Sequence, residues 1–339
     1  MNRFLNLPRL VFACVLAVVM GQGALALDVT AGGTGIRNTK GEQKWLTYRD
    51  TVQRKSGGQI AMKMLIYGEL GAEENLVAGI RRGRVNIANW SGAVTTTVVP
   101  EMALLYAPFL FDDYDEADFV MDRFLFPAYA KLFAEKDIHF LSWDEIGFSQ
   151  VWSKTPILTP EDAKGKRFRV ASSDAAQLFA QALGADVIPL PFSDIISSLQ
   201  TGLIEAGETG TVMYVRTGIA GDAKHITLTD HSFATSVIVL RKGWLDGLSE
   251  DQRKILLESW IPIATSRQWT REEVTDDLAR AQELGFTAHK ISPEQRDRWR
   301  AATADVTRKL IERVGGNAQM IWDVAQEGKK AYAAGKAKN

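Results

Sequence analysis

The stretch Lys164–Thr209, KGKRFRVASSDAAQLFAQALGADVIPLPFSDIISSLQTGLIEAGET, decides how this chain folds. Arg167 to Ala171 alternates charged and apolar residues, which suits a strand. Asp174 is placed to N-cap the apolar-periodic run Ala175–Leu183, and Gly184 tolerates the left-handed conformation that ends a helix. Asp186 to Leu190 reads as a second strand, Ser193 as the cap of a helix through Thr201, and Ala206–Glu208 as a third extended piece. The result is a β-α-β-α-β unit. Right-handed crossovers make its strands parallel and place a ligand beyond their carboxyl ends. Arg169, Phe192, Glu208 and Thr209 fall at or near those ends. An Arg fork there offers a carboxylate two parallel hydrogen bonds, although a lone Arg on an edge strand can equally be a surface residue paired with an acid.

The same stretch carries a resemblance. GKRFRV at Gly165–Val170 and PFSDIISSLQTGLIEAGET at Pro191–Thr209 are similar to G-x-x-x-R-V and F-x-x-x-Y-x-x-L-Q-x-G-x-x-D-G-x-E-N, motifs of the solute-binding proteins of tripartite ATP-independent periplasmic (TRAP) transporters. Three further segments resemble the family in order: Gly68–Ala88, Val99–Ala117 and Lys224–Leu256. Two positions depart from it. Where the family carries G-F-R-Q, this chain reads Gly147-Phe148-Ser149-Gln150, so Ser149 replaces an arginine that often makes a second carboxylate contact. Thr209 stands where the motif has Asn and loses the amide's two-pronged geometry.

The resemblance implies an α/β fold of two lobes, a ligand cleft between them and a long helix spanning both. It places residues 27–146 with 235–274 in the first lobe, and 147–234 with 275–335 in the second. It implies a protein that captures a small organic acid outside the cytoplasm and delivers it to the membrane permease of a TRAP transporter. The alternative is a periplasmic sensing subunit that presents its solute to a membrane receptor. Arg169 is expected to clamp a carboxylate, with Phe192 on the ligand's apolar face and Glu208 and Thr209 completing a polar wall. With Ser149 in place of the second arginine, a monocarboxylate is expected. A zwitterion held by an aromatic cage is the other possibility.

Residue type and approximate placement nominate Trp90, Trp152 and Tyr214 as an aromatic side of the pocket. Trp90 is as readily a packing residue. Glu73 and Glu74 open a helix, where acids favour the macrodipole; by resemblance Glu73 is also a ligand candidate.

The chain has 339 residues, 46% hydrophobic and 24% charged, with a net charge of -1. That composition supports a large core and two domains, and gives no electrostatic case for nucleic acid. Met1–Ala26, with Arg3 and Arg9 before the apolar Leu10–Met20 and Ala24-Leu25-Ala26 at its end, reads as a cleaved signal peptide for periplasmic export. The single cysteine, Cys14, falls inside it, so no disulfide is expected. AGGTG at Ala31–Gly35 fits no phosphate-loop pattern. Ala107–Phe111 reads as a buried strand before a helix opened by an acidic run, and Ser249–Gln252 as a capping box. Helical pattern then runs from Glu250 to Leu284, with a kink or break near Pro262, and again over Ser292–Val314 and Ala318–Ala333. His139, His225, His231 and His289 show no metal-ligand spacing, and neither a catalytic constellation nor a cofactor is expected. His231 is expected to be structural.

Overall fold

A computed structural model describes residues 26–336; residues 1–25 of the expected signal peptide, Cys14 among them, lie outside these. The strands are β1 (Leu27–Gly32), β2 (Ile60–Leu65), β3 (Ile87–Trp90), β4 (Ile138–Ser153), β5 (Arg167–Val170), β6 (Asp186–Pro189), β7 (Ala206–Gly210), β8 (His225–Arg241) and β9 (Thr287–Lys290). They form one sheet in the order β2-β1-β3-β8-β4-β7-β5-β6, with β9 alongside β8. β1, β2 and β3 are mutually parallel, as are β5, β6 and β7. Between these groups run β4 and β8, antiparallel and paired from Ile138↔Arg241 to Ser153↔His225. Each half is covered by helices on both faces, giving two lobes that share a sheet.

Alternation along the strands sorts side chains to the two faces. In the first half, Leu76, Ile80, Trp90 and Trp143 pack on one face, and Val29, Trp45, Tyr48, Ile60 and Trp260 on the other. In the second half, Val151, Phe168, Phe179 and Trp299 occupy one face, and Trp152, Ile195, Leu199 and Tyr214 the other. Burial of a large apolar side chain contributes about 1.5–3 kcal/mol, so these four clusters are the main source of stability.

Several local expectations shift. Ser173, not Asp174, caps the helix Asp174–Ala182 by accepting from the Ala176 N–H; Asp174 is already inside the helix, where it pairs with Arg313 at 3.1 Å. Ser193 caps nothing: Phe192–Asp194 is a 3₁₀ turn leading into the helix Ile195–Gln200, and the Ser193 hydroxyl donates to Asp194. Ala107–Phe111 is not a strand. It follows a 3₁₀ turn, Pro100–Tyr106, with Phe109 at φ 55° and its N–H donating to the His231 carbonyl at 2.7 Å. The capping box at Ser249 and Gln252 is present. The helical run after it breaks fully, into Glu250–Glu258 and Ile263–Ala279, because Pro262 lacks an N–H and holds Ile261 out of helical conformation. Ser292–Val314 likewise divides into Pro293–Ala302 and Val306–Val314. Val306, Leu310, Ala318, Ile321 and Ala325 join the large cluster that holds Leu76, Trp90 and Trp143 together with Ala175 and Leu178 of the second half.

The helix Ile263–Ala279 braces the crossing strands through buried charge. Arg267 is 5% exposed; it meets Asp122 at 2.7 Å, Asp118 at 3.0 Å and Glu145 of β4 at 3.6 Å. Arg271 bridges Glu145 at 2.7 Å and Asp118 at 2.6 Å. Burial pushes the Glu145 carboxyl up while Arg271 and Arg267 pull it down. Lys44, itself buried, reaches Asp144 at 2.7 Å and the Thr270 hydroxyl at 2.9 Å. A buried charge that loses its partner costs about 3–5 kcal/mol, whereas an exposed pair contributes at most about 1. Urea unfolding is therefore expected to show a loss of about 3–5 kcal/mol for Arg267→Met. Arg308→Met, which removes the exposed Arg308–Glu312 pair, should stay within about 0.5 kcal/mol. Equal costs would mean that the brace is not electrostatically set.

His231 is 2% exposed, its ring stacked on Phe179 at 4.0 Å and hydrogen-bonded to Thr229 at 2.8 Å. Burial, with Arg296 nearby, pushes its pKa down to about 3. The folded state thus holds it neutral while the unfolded chain takes up a proton below about 6.5, so its contribution falls as pH drops through that window. The stability difference between wild type and His231→Gln should shrink by about 1.4 kcal/mol per pH unit below pH 6. A difference that stays constant in urea melts from pH 7.5 to 5 would show a histidine that is charged in the fold.

Candidate ligand-binding cleft

The carboxyl ends of the parallel strands in both halves point towards the region where β4 and β8 cross, and this is where an α/β sheet exposes backbone and side chains to a ligand. From the second half come Arg169, Phe192 and Glu208. Arg169, on β5, is 4% exposed and donates through Nε and Nη2 to the Leu190 carbonyl, at 3.1 and 3.0 Å. Its remaining guanidinium hydrogens, those on Nη1 included, bond no group among the described residues. The Phe192 ring lies against the guanidinium, 5.7 Å from ring centre to Cζ. Burial lowers the Arg169 pKa and Glu208 opposes that shift.

Glu208 is half-buried on β7. β4 and β7 pair Ser149 with Gly210 and Val151 with Glu208, which puts Ser149 and Glu208 on one face of the ladder. Burial pushes the Glu208 carboxyl up, while Arg169 and the Ser149 hydroxyl pull it down. Thr209 lies on the opposite face beside Gln150, half-buried.

The first half contributes Glu73, which accepts from the Thr34 hydroxyl at 2.9 Å and from the Ser91 hydroxyl. Tyr106 packs on the first cluster against β8. Its hydroxyl donates to the Thr235 carbonyl at 2.8 Å and accepts from the Thr235 N–H at 3.2 Å. Burial raises its pKa, and the negative charges of Glu208 and Glu73 raise it further. The phenol fits because residue 92 is glycine: a Cβ there would lie 1.9 Å from the Tyr106 oxygen.

A cavity of about 170 Å³ opens between the halves, lined on one side by Thr34, Ile36, Glu73, Asn89 and Ser91 and on the other by Val212 and Met213. Asp144 and Ile146 of β4 lie across its back. The structure lays Arg169 and Phe192 against each other, sets Ser149 and Glu208 on one face of the β4–β7 ladder, and places Glu73 on this cavity. It does not bring the aromatic trio there. Trp90 faces the first core, because alternation on β3 turns its neighbour Asn89 to the cavity, where Asn89 donates to Asp144 at 2.6 Å. Trp152 is fully buried over Gly207, where a Cβ would fall 2.3 Å from its ring. Tyr214 is fully buried too, its hydroxyl bonded to the Ala223 carbonyl at 2.7 Å and its ring edge-on to Phe286. The expectation of an aromatic wall from these three residues is corrected by that burial.

Sequence reasoning missed Tyr106, Asn89, Ser91 and Asp144. Strand alternation on β3 was the available signal for Asn89; Tyr106, in a 3₁₀ turn distant in sequence, offered none. Among the described residues no helix is long and apolar enough to cross a membrane, and no three potential ligands cluster for a metal ion.

Known proteins resemble the chain throughout. The family described as "Bacterial extracellular solute-binding protein, family 7" (DctP) matches residues 35–313. The ectoine-binding periplasmic protein TeaA of Halomonas elongata is 24% identical, over 76% of this chain and 77% of its own. The C4-dicarboxylate-binding periplasmic protein DctP of Vibrio cholerae is 23% identical, over 91% and 95%. Among solved structures, the sugar acid binding protein DctPAm of Advenella mimigardefordensis, in complex with galactonate, superposes with a TM-score of 0.82 at 23% identity, covering 89% of this chain and 98% of that one. A TRAP periplasmic solute-binding protein of Desulfovibrio salexigens with bound orotic acid gives 0.84 at 19%, covering 90% and 99%. With a shared fold and a family match spanning most of its length, the chain belongs to the extracellular solute-binding proteins of family 7, the solute-binding proteins of TRAP transporters.

Proposed function

We propose that this protein captures a small organic acid by a single carboxylate at Arg169 and delivers it, from the periplasm, to a TRAP permease. The observation that carries this reading is the anchored guanidinium. Leu190 holds the Nε edge of Arg169, so the fork is fixed before a ligand arrives and its unused N–H groups remain for a carboxylate. Phe192 beside it supplies an apolar surface for the ligand's body. The position that would supply a second cation holds Ser149, an uncharged side chain 2% exposed on the same ladder face as Glu208. Relatives support an organic acid: galactonate, orotic acid and succinate are bound in similar structures. Lobe closure over the acid would present the loaded form to the permease.

A ligand at a hundred times its Kd stabilises the fold by about 2.7 kcal/mol, so a melting-temperature screen detects it. Among galactonate, glucuronate, orotate and succinate, the monocarboxylates are expected to raise the melting temperature more than succinate. Arg169→Ala is expected to cost about 3 kcal/mol of binding, roughly a hundredfold in Kd, and Arg169→Lys should not restore it. Binding that survives Arg169→Ala would make that residue structural only. Ser149→Arg restores a second charged donor and is expected to improve succinate binding at least tenfold; unchanged succinate affinity would show that Ser149 does not set the charge preference.

A further inference from the structure

Two histidines meet where β4, β8 and β9 run side by side in the second half. β9 lies parallel to β8, with His225 opposite Thr287 and Thr227 opposite His289. β4 lies antiparallel on the other side of β8, with Ser153 opposite His225. Alternation sends Trp152 and Ile226 to one face, into the cluster with Tyr214, so Ser153, His225 and His289 share the other. His225 Nδ1 and His289 Nε2 are 3.0 Å apart, with the rings inclined by 31°. Both side chains are half-buried and both rise from sheet backbone, so little freedom is lost when they act together. They are 64 positions apart in the chain, and no short motif marks them.

Two features set this pair apart from a plain cross-strand contact. Metal–nitrogen bonds of about 2.0–2.1 Å, set about 90–110° apart, hold two ligand nitrogens about 2.8–3.4 Å from each other. The imidazoles already stand at the separation of neighbouring ligands. Beside them the Ser153 hydroxyl, 1% exposed, has no hydrogen-bond partner among the described residues. A buried hydroxyl left unpaired costs about 1–3 kcal/mol, and it marks a place where a further polar atom belongs. No cysteine or carboxylate joins the pair as a third ligand among the described residues. A closed site of four protein ligands is thereby excluded, and positions remain for water.

We infer that His225 and His289 form a two-imidazole site for a divalent transition ion, Zn²⁺ or Cu²⁺, at the end of the second half. Imidazole suits these ions, whereas Mg²⁺ and Ca²⁺ take oxygen ligands. The proton between the two rings moves to the outer nitrogen of its own ring, so both rings stay neutral and each offers a lone pair. Water fills the remaining positions, and one such water answers the Ser153 hydroxyl. The site lies at the last rung of the β4–β8 ladder, Ser153↔His225, and both ligands belong to the second half. The ion therefore ties β9 to β8 without needing closure of the lobes, and the site is independent of the carboxylate reading of Arg169.

Calorimetric titration of the tag-free, chelator-treated protein with Zn²⁺ tests this. The wild type is expected to bind one equivalent at least tenfold more tightly than His225→Gln or His289→Gln. His139→Gln, on β4 in the first half, and Arg169→Ala should both bind as the wild type does. With one equivalent of Cu²⁺, pulsed electron resonance is expected to count two imidazoles on the ion in the wild type and one in each single variant. The wild-type spectrum decides the matter even where a variant folds poorly. Zn²⁺ binding no tighter in the wild type than in a variant lacking both histidines, or a wild-type copper spectrum without two imidazoles, would overturn the inference.

Discussion

The buried charges of the helix Ile263–Ala279 are the constraint on which the geometry of this protein depends. Arg267 and Arg271 close on Glu145 of the crossing strand and on Asp118 and Asp122 of the first half, with Lys44 and Asp144 completing the set. The most buried of these charges, Arg267, Glu145 and Lys44, are tolerated because each meets an opposite one, and that requirement is directional in a way apolar packing is not. The brace thereby fixes where β4 runs between the halves. The position of β4 determines where Ser149 and Ile146 stand, and hence the back of the cleft.

From this frame the site follows with few added parts. β5 delivers Arg169 to the rim, a backbone carbonyl turns its fork, and the 3₁₀ turn at Phe192–Asp194 brings an aromatic ring against it. Glycine at 92 admits the Tyr106 hydroxyl to the strand β8 backbone, and glycine at 207 admits Trp152 to the core. In both cases an absent Cβ lets an aromatic ring approach main chain, which positions rigid groups without long side chains.

Much of this architecture was legible in the residues. Alternation and capping located the parallel units, the Gly-bounded helices and the capping box at Ser249, and an Arg near a strand's carboxyl end pointed to the cleft. What sequence could not show was direction. A tryptophan at a strand end reads the same whether it faces core or cavity, and Trp90 turned inward because its parity on β3 matches the buried face. Ser193 looked like a cap, but the turn at Phe192–Asp194 already occupies the position before the helix. The anchoring of Arg169 was invisible for a different reason: the Leu190 carbonyl that holds it belongs to the backbone, which every sequence possesses.

The long ladder between β4 and β8 also sets what kind of motion this molecule has available. Two strands hydrogen-bonded through both lobes cannot slide past one another without breaking every rung, but a two-stranded ribbon bends readily about its own width. The ladder shifts register between Glu145 and Gly147, where Gly147 adopts φ +98°, at the point where the ribbon passes from one lobe to the other. A rotation of one lobe against the other would concentrate at this interruption of the ladder. A protein hinged there would gauge its cargo as a pair of calipers does, by the angle at which the jaws come to rest.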